Sequence, residues 1–446
     1  MIRKYIYSFT IVLLLLAAAG IYFYKGEEPA PVPQLLERQG PIATTSEWLN
    51  TKAAIKGLEY NLRTKPADKR NKLLLALAYM QEARVTGQHP HYYPAALELV
   101  EDVIAARNVD KDLLYEATVA KASIQLSLHQ FDKALETGNK ALQINNKRAS
   151  VYGVLCDANL ELGNYEEAIS NADKMVEIRP DLKSYARVSY LREVHGDMPG
   201  AIAAMEMAAR AGYPGLEQTA WTKYTLGGLY EKTGDLQQAD ATYREALLEY
   251  PNYAFAYAGM ARIEAKKGNI EDALALYQKA ADILPEFSFQ EGLAHIYKMK
   301  GEKKKMAKIT EELMKGFEED EKSGHIMNME IANIAIKLEE DYDKALHYVL
   351  KEYKKRPDNI DVNKLLAEAY YHKNNLERAV AHINKASITE SQDPAFLCLK
   401  GMIAYKTGKK LYGQKLVQQS LDINPFMDDA LAAEGKKLLG QRLSKL

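Results

Sequence analysis

Residues 220–253 read "AWTKYTLGGLYEKTGDLQQADATYREALLEYPNY". Two runs with apolar residues at helical spacing flank the polar break Thr233-Gly234-Asp235, the pattern of two short helices joined by a tight reversal. The first run places Leu226, Gly227 and Tyr230 on its inner stripe, and the second places Ala239, Tyr243 and Ala246. Pro251 closes the second run, because proline lacks an amide donor and disfavours helix in the residue before it. Small residues on both runs let helix axes approach to about 8–10 Å.

The same phrase returns along the chain. "GNYEEAISNADKMVEIRP" (163–180), "GDLQQADATYREALLEYP" (234–251) and "GNIEDALALYQKAADILP" (268–285) all open on Gly, carry Ala five residues later and close on Pro. Aligning that Ala gives Ala54, Ala96, Ala134, Ala168, Ala201, Ala239, Ala273, Met306, Ala345, Ala379 and Gly413. Most steps are 33 or 34 residues and the others are four to eight longer. Gly163, Gly234, Gly268, Gly301 and Gly408 fall at the reversals, where a left-handed helix cap is expected. The repeat that starts at Phe287 departs most, since Met306 and Leu313 replace small residues. Its packing is expected to be looser or shifted, and the extra residues after Arg210 and Gly316 should lengthen helices or loops.

The Leu-Gly, Tyr, Ala, aromatic, Ala and Pro pattern of 220–253 resembles the tetratricopeptide repeat, and its period matches. The resemblance runs from about Ser46 to Leu446 and implies an all-α, right-handed solenoid of about ten repeats. A lone helix at 46–65 should precede them, and "DDALAAEGKKLLGQRLSKL" (428–446) should form a polar cap. The segment "SYARVSYLREVHGDMPGAIAAMEMAARAG" (184–212) is similar to a recurrent kind of bacterial tetratricopeptide protein, which implies a bacterial source.

The first 28 residues read differently. "YIYSFTIVLLLLAAAGIYFY" (5–24) holds 20 uncharged residues, enough to cross a bilayer core of about 30 Å as one transmembrane helix. Tyr residues at both ends fit interfacial belts, and Arg3 and Lys4 ahead of the run put the N-terminus in the cytoplasm. A cleaved signal peptide is the alternative, with Ala17-Ala18-Ala19 as its cleavage site. A signal-anchor places the chain in the inner membrane with the solenoid periplasmic; cleavage makes the solenoid an exported soluble body. Residues 29–45, beginning in "EEPAPVPQ" (27–34), are expected to form an extended Pro-rich linker.

The formal charge of −1 argues against nucleic acid, which needs a basic surplus. No phosphate loop, H-E-x-x-H, C-x-x-C or G-x-S-x-G occurs, and no stretch is left over for a catalytic domain, so no catalytic residue, cofactor or small-molecule substrate is assigned. In "TGQHPHYYP" (86–94) His89 and His91 suggest half a metal site. With no second ligand pair nearby in sequence, they read as a turn packed by aromatics, and no metal is assigned. Cys156 falls in a small-residue slot and is expected in the core; Cys398 lies one turn into a first helix and can face a groove. "EKKKMAK" (302–308) and "EEDEK" (318–322) read as solvated helix faces.

In proteins that this chain resembles, the first helix of each repeat lines a concave groove, with its second, fifth, ninth and twelfth residues facing the ligand. Carried over, these slots hold Lys183, Tyr190, Trp221, Tyr224, Phe255, Arg262, His295 and Tyr371, with Arg187 one residue away. Aromatic and Arg side chains suit binding hot spots. No repeat has the Lys and Asn pair with which co-chaperone domains of this kind grip a terminal carboxylate. The expected function is a non-enzymatic, membrane-tethered scaffold that docks partner peptides or helices in the groove. The alternatives are an assembly factor for an envelope polysaccharide or secretion complex that uses its convex face, and an RNA-binding helical-repeat array.

Overall fold

The structure, a computed structural model, describes residues 34–427 and 429–440, and every regular element among them is helical. Ser46–Thr64 (α1) comes first. Five helix pairs follow: Lys69–Thr86 and His89–Ala105 (α2, α3), Lys111–Ser127 and Phe131–Ile144 (α4, α5), Ala149–Leu162 and Tyr165–Ile178 (α6, α7), Leu182–Val194 and Met198–Ala211 (α8, α9), Glu217–Lys232 and Leu236–Glu249 (α10, α11). Five more continue the row: Ala254–Lys266 and Ile270–Ile283 (α12, α13), Phe287–Met299 and Lys303–Lys322 (α14, α15), Asn328–Ile334 and Tyr342–Lys355 (α16, α17), Ile360–His372 and Leu376–Ala386 (α18, α19), Pro394–Lys406 and Lys410–Ile423 (α20, α21). Asp429–Leu438 (α22) packs on the last pair.

Local chemistry sets each pair. Asp181 caps α8 with its carboxylate on the Lys183 and Ser184 amides, and Ser184 answers with its hydroxyl on the Asp181 amide. Such a reciprocal cap satisfies donors that a helix start leaves orphaned. Alanines 96, 134, 168, 201, 239, 273, 345 and 379 are all fully buried, because a methyl is what fits between closely packed axes. Closeness is most acute at Tyr243, whose ring lies between α10 and α12. A Cβ on Gly227 or Gly259 would come within 2.4 or 2.5 Å of that ring, so neither position has room for a side chain. In the Phe287 repeat α15 runs to 20 residues, and Leu313 and Phe317 fill the space beneath it, with the Phe287 ring 4.9 Å from Phe317. After Arg210 the insertion forms a loop instead, since α9 ends at Ala211.

The row of pairs winds back onto itself. The reversal inside each of the first five repeats meets the link that follows the repeat five places later. Gly87 abuts Pro285, Gly163 abuts Asp358, Gly196 abuts Glu390 and Gly234 abuts Ile423. Between the first and second of these, the Gln130 side chain donates to the Gly324 carbonyl at 2.7 Å, and the Ile326 amide donates to the Leu128 carbonyl at 3.1 Å. Further along, the Asn424 side chain donates to the Glu231 carbonyl at 2.9 Å across 193 positions. The result is a seam between successive superhelical turns, with a pitch of about five to six repeats.

Two sequence expectations change. Residues 34–45 are no free spacer: the Leu35 amide donates to Glu59 and the Leu36 amide to the Tyr92 hydroxyl, each at 3.1 Å. Arg38 is buried in a forked pair with Glu82 at 2.6 and 3.0 Å, and Ile42, in a short 3-10 turn Gly40–Thr44, packs with Ile283 and Leu284. Placement as a single-pass inner-membrane chain with a periplasmic solenoid is corrected too. Among the described residues no helix is long and apolar enough to cross a membrane, and residues 1–28, from which the anchor and signal-peptide expectations derive, lie outside them.

Candidate protein-binding interior

Contact between successive turns sets two walls of the groove face to face, leaving cavities that stay partly open to solvent. One cavity among the described residues measures about 630 Å³ and is walled on one side by Tyr224, Arg262 and His295 from α10, α12 and α14. Its other wall comes from the next turn, through Asp393, Asn424 and Phe426. A second cavity of about 550 Å³ is lined by Asp157, Glu161, Arg356 and Lys364 among others. Lys337 and Ala395 border both.

Several charges of the larger cavity are paired. Glu231, buried, accepts from Arg262 and from Lys266, both at 2.8 Å, and from the Tyr243 hydroxyl. Burial alone would raise the Glu231 carboxyl, but the positive charges of Arg262 and Lys266 outweigh it and hold it below the usual carboxylate range. Across the cavity, burial acts on Asp393 in the same sense and is again outweighed, here by Lys364 at 3.1 Å, so Asp393 also sits low. Burial also pushes the Tyr243 phenol far above its ordinary value. Arg262 lies 5.7 Å from the centre of the Tyr224 ring, which leads into a run of rings: Tyr224 to Phe255 at 5.5 Å and Phe255 to Phe289 at 5.0 Å. Of these rings Tyr224 lines the cavity, beside Tyr277 and Phe426, while Phe289 is buried in the core behind it.

The nine groove residues separate by environment. Lys183, Tyr190 (40% exposed) and Trp221 (38% exposed) are open to solvent on the first helices of neighbouring repeats. Tyr224, Arg262 and His295 converge on the larger cavity. Phe255 is half-buried within the run of rings. Arg187 is engaged by Asp157 at 2.6 and 2.8 Å and by the Gly153 carbonyl at 3.2 Å. Tyr371 is 1% exposed, with its hydroxyl on Glu434 of α22 and the Lys406 ammonium 3.8 Å from its ring centre. Its groove slot is covered by the terminal helix. Cys398 is buried as well, its thiol 3.4 Å from the Leu431 carbonyl, and Cys156 lies in the core.

Sequence reasoning missed the far wall, because Asp393 and Asn424 reach the cavity only through the seam. It also missed the partners of His89. His91 turns to the Gln34 carbonyl at 2.8 Å, whereas His89 lies against Asp320 and His325, more than 230 positions on. Glu231 and Lys232 carried a signal, a charged pair directly after Tyr230 on a first helix.

Residues 224–286 and 338–403 each match a family model described as Tetratricopeptide repeat. The chain carries tetratricopeptide repeats, a fold that is typically a non-catalytic scaffold and fits a protein-interaction role. It is 24% identical over 230 residues to a protein O-mannosyl-transferase of Homo sapiens, covering 50% of this chain and 24% of that protein. It is 24% identical over 214 residues to a TPR repeat-containing protein of Methanocaldococcus jannaschii, covering 44% of this chain and 35% of that one. The chain thus spans between about a quarter and a third of the length of these curated relatives. Among solved structures it is similar to a thermophilic TPR protein of Thermus thermophilus, with 23% identity, a TM-score of 0.37, and coverage of 44% of this chain and 97% of that chain.

Proposed function

We propose that this protein is a non-enzymatic scaffold that takes a short extended segment of a partner protein into the interior between its turns. The observation that carries the reading is convergence: Tyr224, Arg262 and His295, from three successive repeats, wall one cavity of about 630 Å³. The protein's own residues 34–39 illustrate the mode, with a non-helical backbone tied to helix side chains and anchored by a buried Arg. A preformed wall reduces the ordering cost of binding. Tyr190 and Trp221 supply exposed aromatic contacts beside it.

A second reading is favoured by the outer surface, where Leu248 is 83% and Leu411 85% exposed on second helices. There the protein would assemble a complex through its convex face. A photo-crosslinking residue separates the two. Placed at Thr225, which lines the cavity, it should capture the partner, and placed at Leu248 it should not; the reverse result favours the convex face and overturns the interior. Tyr224→Ala with His295→Ala should lower partner affinity about tenfold or more.

A further inference from the structure

Three of the protein's ionisable side chains meet at the seam and remain unexplained by the interior. His89 is the first residue of α3, whereas Asp320 lies near the end of α15 and His325 in the link beyond it. The His89 Nδ1 is 3.9 Å and the His325 Nδ1 2.9 Å from Asp320 Oδ2, and the three candidate ligand atoms all fall within 4.8 Å of one another. Asp320 and His325 are both more than nine-tenths buried, and the Nε2 of His325 has no hydrogen-bond partner. From this geometry we infer a binding site for a divalent transition-metal ion of the zinc type, with His89, Asp320 and His325 as ligands drawn from two superhelical turns.

A hydrogen-bonded Asp320–His325 pair alone is a weaker account. It gives no reason for a second imidazole to close on the same carboxylate. Two imidazoles and a carboxylate form a donor set suited to zinc, with a position left for water. Zinc–nitrogen bonds of about 2.0–2.1 Å place tetrahedral ligand atoms about 3.4 Å apart, so side-chain shifts of about 1 Å complete the set. Charge agrees: Glu286 stands close enough to His89 and Asp320 to interact with both, and a dication balances the two carboxylates. His129 stands beside the three without joining them: its Nδ1 bonds the Ile326 carbonyl at 2.8 Å and its ring rests 4.6 Å from that of His325.

Because the ligands come from opposite sides of the seam, binding the ion and holding the turns together become one event. The site is a staple for the closed superhelix.

The test uses the untagged full chain, stripped of metal and titrated with Zn²⁺ and Co²⁺. One equivalent of Zn²⁺ should bind and displace Co²⁺, Mg²⁺ should not compete, and X-ray absorption at the zinc edge should count two imidazoles. His89→Gln, at the partly exposed position, should weaken Zn²⁺ binding about tenfold or more and abolish the rise in melting temperature that Zn²⁺ gives the parent chain. The proposal falls if the parent chain binds no stoichiometric Zn²⁺, if absorption finds fewer than two imidazoles, or if His89→Gln binds as the parent does.

Discussion

Arg356 Nη1 lies 2.6 Å from Glu161 Oε2, joining side chains 195 positions apart in the sequence. The same guanidinium bonds Glu352 at 2.9 Å and sits 4.8 Å from the centre of the Phe131 ring. One residue thus ties α17 to the previous superhelical turn through an ion pair and an aromatic face. Removing one partner of a buried pair leaves the other charge uncompensated, a cost of roughly 3–5 kcal/mol. Arg356→Met should therefore lower unfolding free energy by about 3 kcal/mol, measured by urea denaturation. It should also enlarge the radius of gyration in solution scattering as the seam loosens.

Two turn glycines separate the cost of backbone conformation from the cost of the seam. Gly163 and Gly268 have φ of +88° and +83°, so an alanine at either is strained by about 1–2 kcal/mol. At Gly268 nothing lies within 4 Å of an added Cβ, whereas at Gly163 the Asp358 carbonyl carbon lies 2.6 Å away. Gly163→Ala should destabilise by about 1–3 kcal/mol more than Gly268→Ala, because backbone on the far turn must move. Equal thermal shifts for the two variants would deny the contact.

Arg38 makes a comparable claim for the N-terminal segment. Its guanidinium is buried on Glu82 and lies 5.0 Å from the centre of the Trp48 ring. Arg38→Ala should cost about 3 kcal/mol or more by stranding Glu82, and should expose residues 34–45 to limited proteolysis. A surface linker would show neither effect.

Acid should weaken the larger cavity. Glu231 and Asp393 both titrate below their unfolded values of about 4.3 and 3.9, so between folded and unfolded values the unfolded chain binds more protons. Stability rises with pH through that window: the contribution is complete above about pH 4.5 and is lost as pH falls through the folded values. Urea midpoints measured from about pH 6 downward should fall below about pH 4.5, and Glu231→Gln should flatten the slope.

The repeat was legible because its determinants are local: Ala239, Tyr243 and Pro251 act within one helix pair, and their spacing recurs. The seam was not, because it depends on Asn424 reaching a backbone carbonyl 193 positions back, and carbonyls carry no sequence signature. The candidate site follows the same division. Tyr224, Arg262 and His295 were found from slots on first helices, yet Arg262 is held by Glu231 as well as facing the cavity. Tyr371 fills an equivalent slot but α22 covers it, an end effect that the repeat pattern does not encode. His89 read as part of a turn packed by aromatics, because Asp320 and His325 reach it only from the next turn.

The central claim is that the superhelix closes, and a cross-link tests it most directly. Glu166 and Asp358 are exposed on opposite sides of the seam, beside the Tyr165 hydroxyl that accepts from the Ile360 amide at 2.8 Å. Cysteines at both positions, with Cys156 and Cys398 buried, should be joined within one chain by a short bismaleimide in nearly every native molecule and lose that product in urea. Native yield no higher than in urea would mean the turns stand apart, and would contradict the closed interior.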